Sequence, residues 1–247
     1  MFPYRGSWRL GFFVSLPPLV AGWGAMRMVQ YFQQLEQKYP PIMADDTNST
    51  LALKTPFFWN HQYHFHTPHV DVFAAKVPAR ALREASDGRD DGSLEYLWAK
   101  TFHSSPLLRV ESRLFGWGSP GDCGENGLPR GRALFNGLFI VVRSPEPGSP
   151  ILMRWDMPAG VVAFFRSAAR LGYPWRIMSG GRHECSVGDV DAEGMVEVRF
   201  SCAADYEWLP EEGADQKTIP RWGSRLHRIY ARWLLDERVR ELSKSKS

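Results

Sequence analysis

ALFNGLFIVVR (133–143), ILMRWDM (151–157), YPWRIMS (173–179), RHECSVG (182–188) and VEVRFSCAADYEW (196–208) alternate apolar and polar residues with the period of β-strands. Directly after them, TIPRWGSRLHRIYARWLLDERVREL (218–242) changes to the helical period, opened by Thr218 and Pro220. Residues 134–242 therefore read as a curved antiparallel sheet closed by one long amphipathic helix. Such an α+β arrangement wraps around a cavity, and cavities are where small molecules bind. Val196, Val198, Phe200, Cys202, Ala204 and Tyr206 share the inward face of the last strand, with Glu197 and Arg199 outward. A slip of one residue would bury both charges.

Outward from this block, Asp156 and Pro158 start a hydrophobic helix, AGVVAFFRSAARL (159–171), which Gly172 ends; Asp156 reads as its cap. Gly180-Gly181 reads as a hairpin turn. Upstream, Ser93 caps SLEYLWAKTFH (93–103), whose Leu94, Leu97, Trp98 and Phe102 share one helical face. Ser105-Pro106 restarts a helix, LLRVESRLF (107–115), ended by Gly116 or Gly118, and a Gly/Pro-rich loop follows at 119–132. YHFHTPHVDVFAAKVP (63–78) is strand-like, and Pro68 fits only an edge or a bulge. ARALREASDGRDDG (79–92) is a short helix and a charged loop. Residues 30–62 form a connector, with a short helix around Tyr31–Lys38, and residues 63–247 form the ligand-pocket domain.

LGFFVSLPPLVAGWGAMRMV (10–29) is the candidate membrane segment within a hydrophobic stretch, 1–29. It approaches the ~20 apolar residues of a spanning helix, but Pro17 and Pro18 break it and Arg27 interrupts its far end. Three readings stay open: an anchor or interfacial hairpin, a signal peptide with a poor cleavage site at Ala21-Gly22-Trp23, or an apolar arm packed on the domain or a partner. The first associates the protein with a membrane, the endoplasmic reticulum being the expected one; otherwise it is cytoplasmic. The sequon at Asn48 matters only in the secretory lumen.

A net charge of +3 is too small to imply nucleic acid. With 10 Trp, 15 Phe and 8 Tyr, the chain has aromatic rings enough for a core and for the walls of an apolar pocket. Cys123, Cys185 and Cys202 match no zinc spacing; Cys185 and Cys202 either meet across adjacent strands or are buried thiols. His61, His64, His66 and His69 crowd one segment, with His64 and His66 on one strand face. No carboxylate or cysteine completes a metal site there, and a polar edge strand explains them more simply. Phosphate loops, nucleophile elbows, dinucleotide fingerprints and metalloprotease helices are absent, so neither cofactor nor metal is expected.

His183, Cys185 and Val187 share one face of their strand, opposite Arg182, Glu184 and Ser186. Turned inward, His183 would meet Tyr206 as an acid–base pair, and these two are the candidate catalytic residues. A core histidine satisfied by the backbone is the competing reading. Asn136, Trp155, Trp175, Phe200 and Asp205 are the candidate substrate-binding residues, although Asn136 fits a solvent-facing position equally well. On the final helix, Arg221, Arg225, Arg228 and Arg232 make a basic stripe, either solvated or drawn to anionic lipid. Trp222, Leu226, Ile229 and Trp233, with Tyr230 beside them, make its apolar side.

The order is one strand, two helices, two strands, an inserted helix, three strands and a final helix. It resembles the helix-grip fold of the START and birch-pollen-allergen superfamily across roughly residues 63–242, and the helix at 158–171 departs from that pattern. YPWRIMSGGRHECSVG, with WLLDERVREL, looks like a group of uncharacterised fungal proteins that accompany natural-product gene clusters. That second resemblance implies a hydrophobic polyketide, terpenoid or alkaloid ligand. Three functions are then expected: a cofactor-free cyclase or isomerase, a non-catalytic carrier of hydrophobic molecules, or a membrane-tethered interaction scaffold. One architecture hosts many functions, so the polar groups of the cavity must decide.

Overall fold

The computed structural model describes residues 24, 26–43, 64–85, 92–115 and 119–244. Contacts divide the chain after Lys38. In the first part, residues 26–38 form a helix, α1, that exposes Met26, Met28 and Val29. Among the described residues no helix is long and apolar enough to cross a membrane. Residues 1–23, the sequon at Asn48, His61, and Gly116 and Gly118 lie outside the described residues.

In the second part, seven strands among the described residues form one open antiparallel sheet. They are β1 (Phe65–His66), β2 (Val70–Pro78), β3 (Ala133–Leu134), β4 (Phe139–Arg143), β5 (Ile151–Asp156), β6 (Gly180–Val190) and β7 (Met195–Glu207). The helices are α2 (Ala79–Glu84), α3 (Leu94–His103), α4 (Pro106–Phe115), α5 (Ala159–Arg170) and α6 (Arg221–Lys244). β3 to β7 follow one another across the sheet, and β1 and β2 lie end to end on the far side of β7. Thr67-Pro68-His69 separates these two pieces. The proline thus falls where an edge strand tolerates a missing donor. α3 packs on β5 and β6, and α6 packs on β2 and β7.

The alternation read from β7 holds from Val196 to Phe200, but from Phe200 to Glu207 every residue is buried, because the second half of the strand is covered on both faces. Glu197 and Arg199 are half-buried and ion-paired to each other at 2.6 Å rather than free in solvent. Phe102 of α3 stacks on Phe200 at 4.4 Å, and Trp98 Nε1 donates to Arg199 O. Side chains of this size contribute about 1.5–3 kcal/mol each by leaving water. Ser93 caps α3 by accepting from Tyr96 N, and Ser105 Oγ accepts from Leu107 N and Leu108 N at the start of α4. The three cysteines are buried and free; Cys185 pairs in register with Phe200, and Cys202 with His183.

Several local expectations are corrected. Residues 173–179 make no strand; this stretch is irregular, with Arg176 N donating to Thr218 O. Gly180-Gly181 is no turn but the start of β6, and the hairpin bends instead at 191–194, where Gly194 has φ +74. Segment 133–143 is interrupted by a 3-10 turn, Phe135–Gly137. Asp156 ends β5 without capping α5, whose first turn follows Pro158 with no side-chain cap. On α6, Trp222, Leu226 and Trp233 are exposed and only Ile229 of the expected stripe is buried. Arg232, expected in the solvated stripe, lies 4.4 Å over the Phe73 ring, and its Nε donates to Tyr39 O.

Candidate functional site

The inner face of the sheet, α4 and α6 line a cavity of ≈ 480 Å³. The sheet contributes Phe139, Trp155, His183 and Phe200, and the 3-10 turn contributes Phe135 and Asn136. Leu108 and Glu111 enter from α4, and His227, Tyr230 and Leu234 from α6. Spacings of three, four and seven residues put each helical set on one face. The rest of the wall includes Met157, Pro158 and Met178, so most of the surface is apolar.

Gly181 shapes the sheet side. A Cβ there would lie 2.4 Å from Ala203 O and 2.7 Å from the Trp155 ring, so the missing side chain lets the indole lie against the strand beside it. The rim at Phe135 and Asn136 is strained, because both have positive φ, +51 and +59, followed by Gly137 at +84. It is held by Phe135 N donating to Asp122 O and by the Asn136 amide donating to Ser119 O at 2.8 Å.

His183 stands between Phe139 and Phe200, each 5.1 Å away by ring centroid, and its imidazole makes no hydrogen bond among the described residues. Burial lowers its pKa to about 3, helped by the nearby His227 and His103, so the imidazole is neutral at pH 7. His103 behaves otherwise. Its Nδ1 lies 2.6 Å from Ala99 O, which assigns the proton to that nitrogen, and it is 1% exposed. His103 is therefore anchored to the backbone through Nδ1, with its Nε2 buried and unpartnered among the described residues, while His183 faces the cavity.

Opposite the sheet, the Tyr230 hydroxyl donates a short hydrogen bond to Glu111 Oε2. Burial raises the pKa of Glu111 and, together with the bond to Glu111, that of Tyr230. His227 is held below its usual range by burial, against the pull of Asp71. Asp156, at the cavity edge, is raised by burial and opposed by Arg154. The cavity thus combines two unbonded neutral imidazoles with a carboxyl–phenol pair. Among the described residues no group of His, Cys, Asp and Glu is arranged to hold a metal ion.

Of the residues singled out in the sequence, His183, Asn136, Trp155 and Phe200 line this one cavity, and Tyr206, Trp175 and Asp205 do not. His183 pairs with Cys202, four residues from Tyr206, which sets the two about 13 Å apart along the strand. Tyr206 is fully buried against His66, and its hydroxyl accepts from Ile219 N. Asp205 points to the opposite face, where it bonds Arg182 and Thr67. Trp175 is exposed beside Tyr173 and Trp222. The Asn136 amide is spent on Ser112 and Ser119 rather than offered to a ligand. Glu111, His227 and Tyr230 were not singled out as polar groups of a site; their signal was the i, i+3 spacing with Leu108 on α4 and with Leu234 on α6. No protein-family profile, curated protein or solved structure matches the chain.

Proposed function

We propose that this protein is a cofactor-free isomerase or cyclase acting on a hydrophobic natural-product intermediate of the polyketide, terpenoid or alkaloid kind. The observation that carries the reading is an unbonded, neutral His183 in an aromatic cavity that also holds the Glu111–Tyr230 pair. An edge strand, two helices, an antiparallel run and a closing helix support a helix-grip architecture, and with it an internal ligand.

The chemistry is proton transfer. A ring nitrogen of His183 takes a proton from a carbon beside a substrate carbonyl, and the electron pair moves onto the carbonyl oxygen. The Glu111 carboxyl, its pKa raised by burial, supplies a proton to that oxygen while Tyr230 keeps it oriented. Return of the His183 proton to a different carbon, with the proton on oxygen going back to Glu111, restores the carbonyl and gives an isomer. Attack of the enol carbon on a second carbonyl closes a ring, the His183 proton goes to the new hydroxyl, and Glu111 recovers its own proton. No electrons are gained or lost. The apolar walls exclude water, which strengthens both polar contacts.

The test uses the full chain and 2-tetralone, a hydrophobic enolisable ketone, in deuterated buffer. Exchange of its α-hydrogens is followed by proton magnetic resonance, and retention by equilibrium dialysis. His183→Ala should slow exchange by about a hundredfold while retention persists. Retention without exchange in the parent protein identifies a carrier, and no retention at all refutes an internal ligand of this class. Incubation with metabolite extract of the producing organism, followed by mass spectrometry, then finds the natural compound.

A further inference from the structure

The sequence of α5 is mostly apolar, yet Ala169 is its only buried residue. Phe164 is 67% exposed, and Leu171, just past the helix, is 90% exposed. From α5 a continuous line of rings runs Phe164, Phe165, Tyr173, Trp175, Trp222, with centroids 5.3, 6.2, 5.6 and 6.3 Å apart. It ends on the first turn of α6, where Trp222 is 61% and Leu226 51% exposed. Soluble monomers rarely leave so much contiguous apolar surface uncovered without a use for it.

The two stretches of chain that form this ridge carry charge of one sign. From Met157 to Arg182 the chain holds arginines and no acid, and from Gln216 to Leu235 it holds Lys217 and four arginines and again no acid. Arg166, Arg170 and Arg176 are answered by Glu207, Glu211 and Glu212 from outside these stretches. Arg221 and Arg225, each immediately before an exposed apolar residue, are exposed, and Arg225 also engages a neighbouring group.

We infer that this ridge docks on the surface of an anionic lipid bilayer. Tryptophan and tyrosine settle at the level of the headgroups, phenylalanine and leucine reach just below, and flanking arginines meet lipid phosphate. A protein partner would need its own apolar groove as well as acidic residues, whereas a bilayer supplies an apolar layer and phosphate groups together. The ridge also adjoins the cavity: Met157 and Pro158 lead from the cavity wall into α5, and His227 and Tyr230 line it from α6. Docking does not depend on the chemistry proposed for the cavity. If that chemistry holds, the ridge lets a hydrophobic ligand pass between bilayer and cavity without crossing water.

The experiment is co-sedimentation of the full chain with large vesicles of phosphatidylcholine, alone or mixed with phosphatidylserine. The parent should sediment with the mixed vesicles. Replacing two exposed rings, Phe164→Ser with Trp222→Ser, should weaken that binding by about tenfold or more. Arg221→Glu with Arg225→Glu should remove the preference for phosphatidylserine, again by about tenfold or more. Both pairs leave buried residues untouched, and circular dichroism checks the fold. Undiminished binding by the ring variant overturns the inference and moves the membrane contact elsewhere in the chain. A parent that ignores both vesicles overturns it too, as does a ridge-dependent dimer that blocks lipid. Exchange of 2-tetralone by the ring variant in vesicle-free solution should match the parent, which separates failure of this inference from failure of the proposed chemistry.

Discussion

On the face of the sheet turned away from α6, Arg182 and Asp205 are almost fully buried and joined through two nitrogens, at 3.1 and 2.9 Å, with Thr67 bonded to both. Nearby, Glu184, also buried, is met by Arg143 at 2.8 Å. On the face turned towards α6, His183 sits one residue from Arg182 and has no such partner. Neighbours on one strand thus meet opposite conditions. Burying charge is tolerated only where the partner is in place, so the first face reads as architecture. A titratable group held neutral by burial beside a cavity points instead to use.

Removing the partner on the structural face should have the largest effect of any single substitution. Arg182→Ala leaves Asp205 buried without its cation and should cost about 3–5 kcal/mol, seen as a fall of roughly 10 °C or more in Tm by calorimetry. A loss below about 1 kcal/mol would mean that Asp205 is hydrated, and the contrast between the faces would fail.

Acid should act next, and through the other face. His103 and His183 have folded pKa values of about 4 and about 3, below the ordinary 6.5 of the unfolded chain. The unfolded state therefore binds protons first, and stability present above pH ~6.5 is lost as pH falls towards 4, by roughly 3 kcal/mol for each histidine. Urea midpoints measured from pH 7 to 4.5 should drop accordingly, and His103→Leu should flatten the slope by one histidine's share. An unchanged slope in that variant would show His103 to be charged or hydrated when folded.

Gly181→Ala acts on the cavity face. Its Cβ would press on Ala203 O and on the Trp155 ring, so about 1–3 kcal/mol of stability should go, along with 2-tetralone retention as the indole is pushed into the cavity. Thermal melting and dialysis read the two losses separately, and normal values for both would place Trp155 elsewhere. The smallest change has the opposite sign. His183→Phe replaces an unbonded imidazole among aromatic rings and should gain about 0.5–2 kcal/mol while abolishing exchange. A destabilised variant would mean that His183 is bonded in the native protein.

The legible parts of the sequence were those in which one periodicity had one meaning. β5 and β7, the Ser93 cap and the edge role of Pro68 follow from local pattern, because each is decided by neighbours in the chain. Glycine pairs carry less information: Gly180-Gly181 has the composition of a turn, but here the absence of Cβ serves a close approach by Trp155, a tertiary contact. α6 carries two helical stripes, and the bulkier one, with Trp222, Leu226 and Trp233, drew the expectation of burial. The inward stripe is His227, Tyr230, Ala231 and Leu234. Arg232 and Asp236 accompany it inside because Tyr39 meets both, through its carbonyl and its hydroxyl. Half of the cavity was visible as His183, Trp155, Phe200 and the rim at Asn136. Glu111 and Tyr230 lie on helices far apart in sequence, and only the fold brings them together.

The seam between β2 and β7 bears on how the chain reaches this state. Val70 pairs with Ala203 and Val77 with Val196, so the partner of an early strand is made only after most of the polypeptide has been synthesised. Until then Val72, Phe73 and Val77, all buried in the finished sheet, have no strand to meet. Joining segments so remote in sequence costs loop-closure entropy before any contact repays it, which makes this pairing a slow, late event with high contact order. The nascent chain therefore has a long window in which an apolar strand is open to misassembly. The Pro68 interruption shortens that exposed template while β7 is still to come.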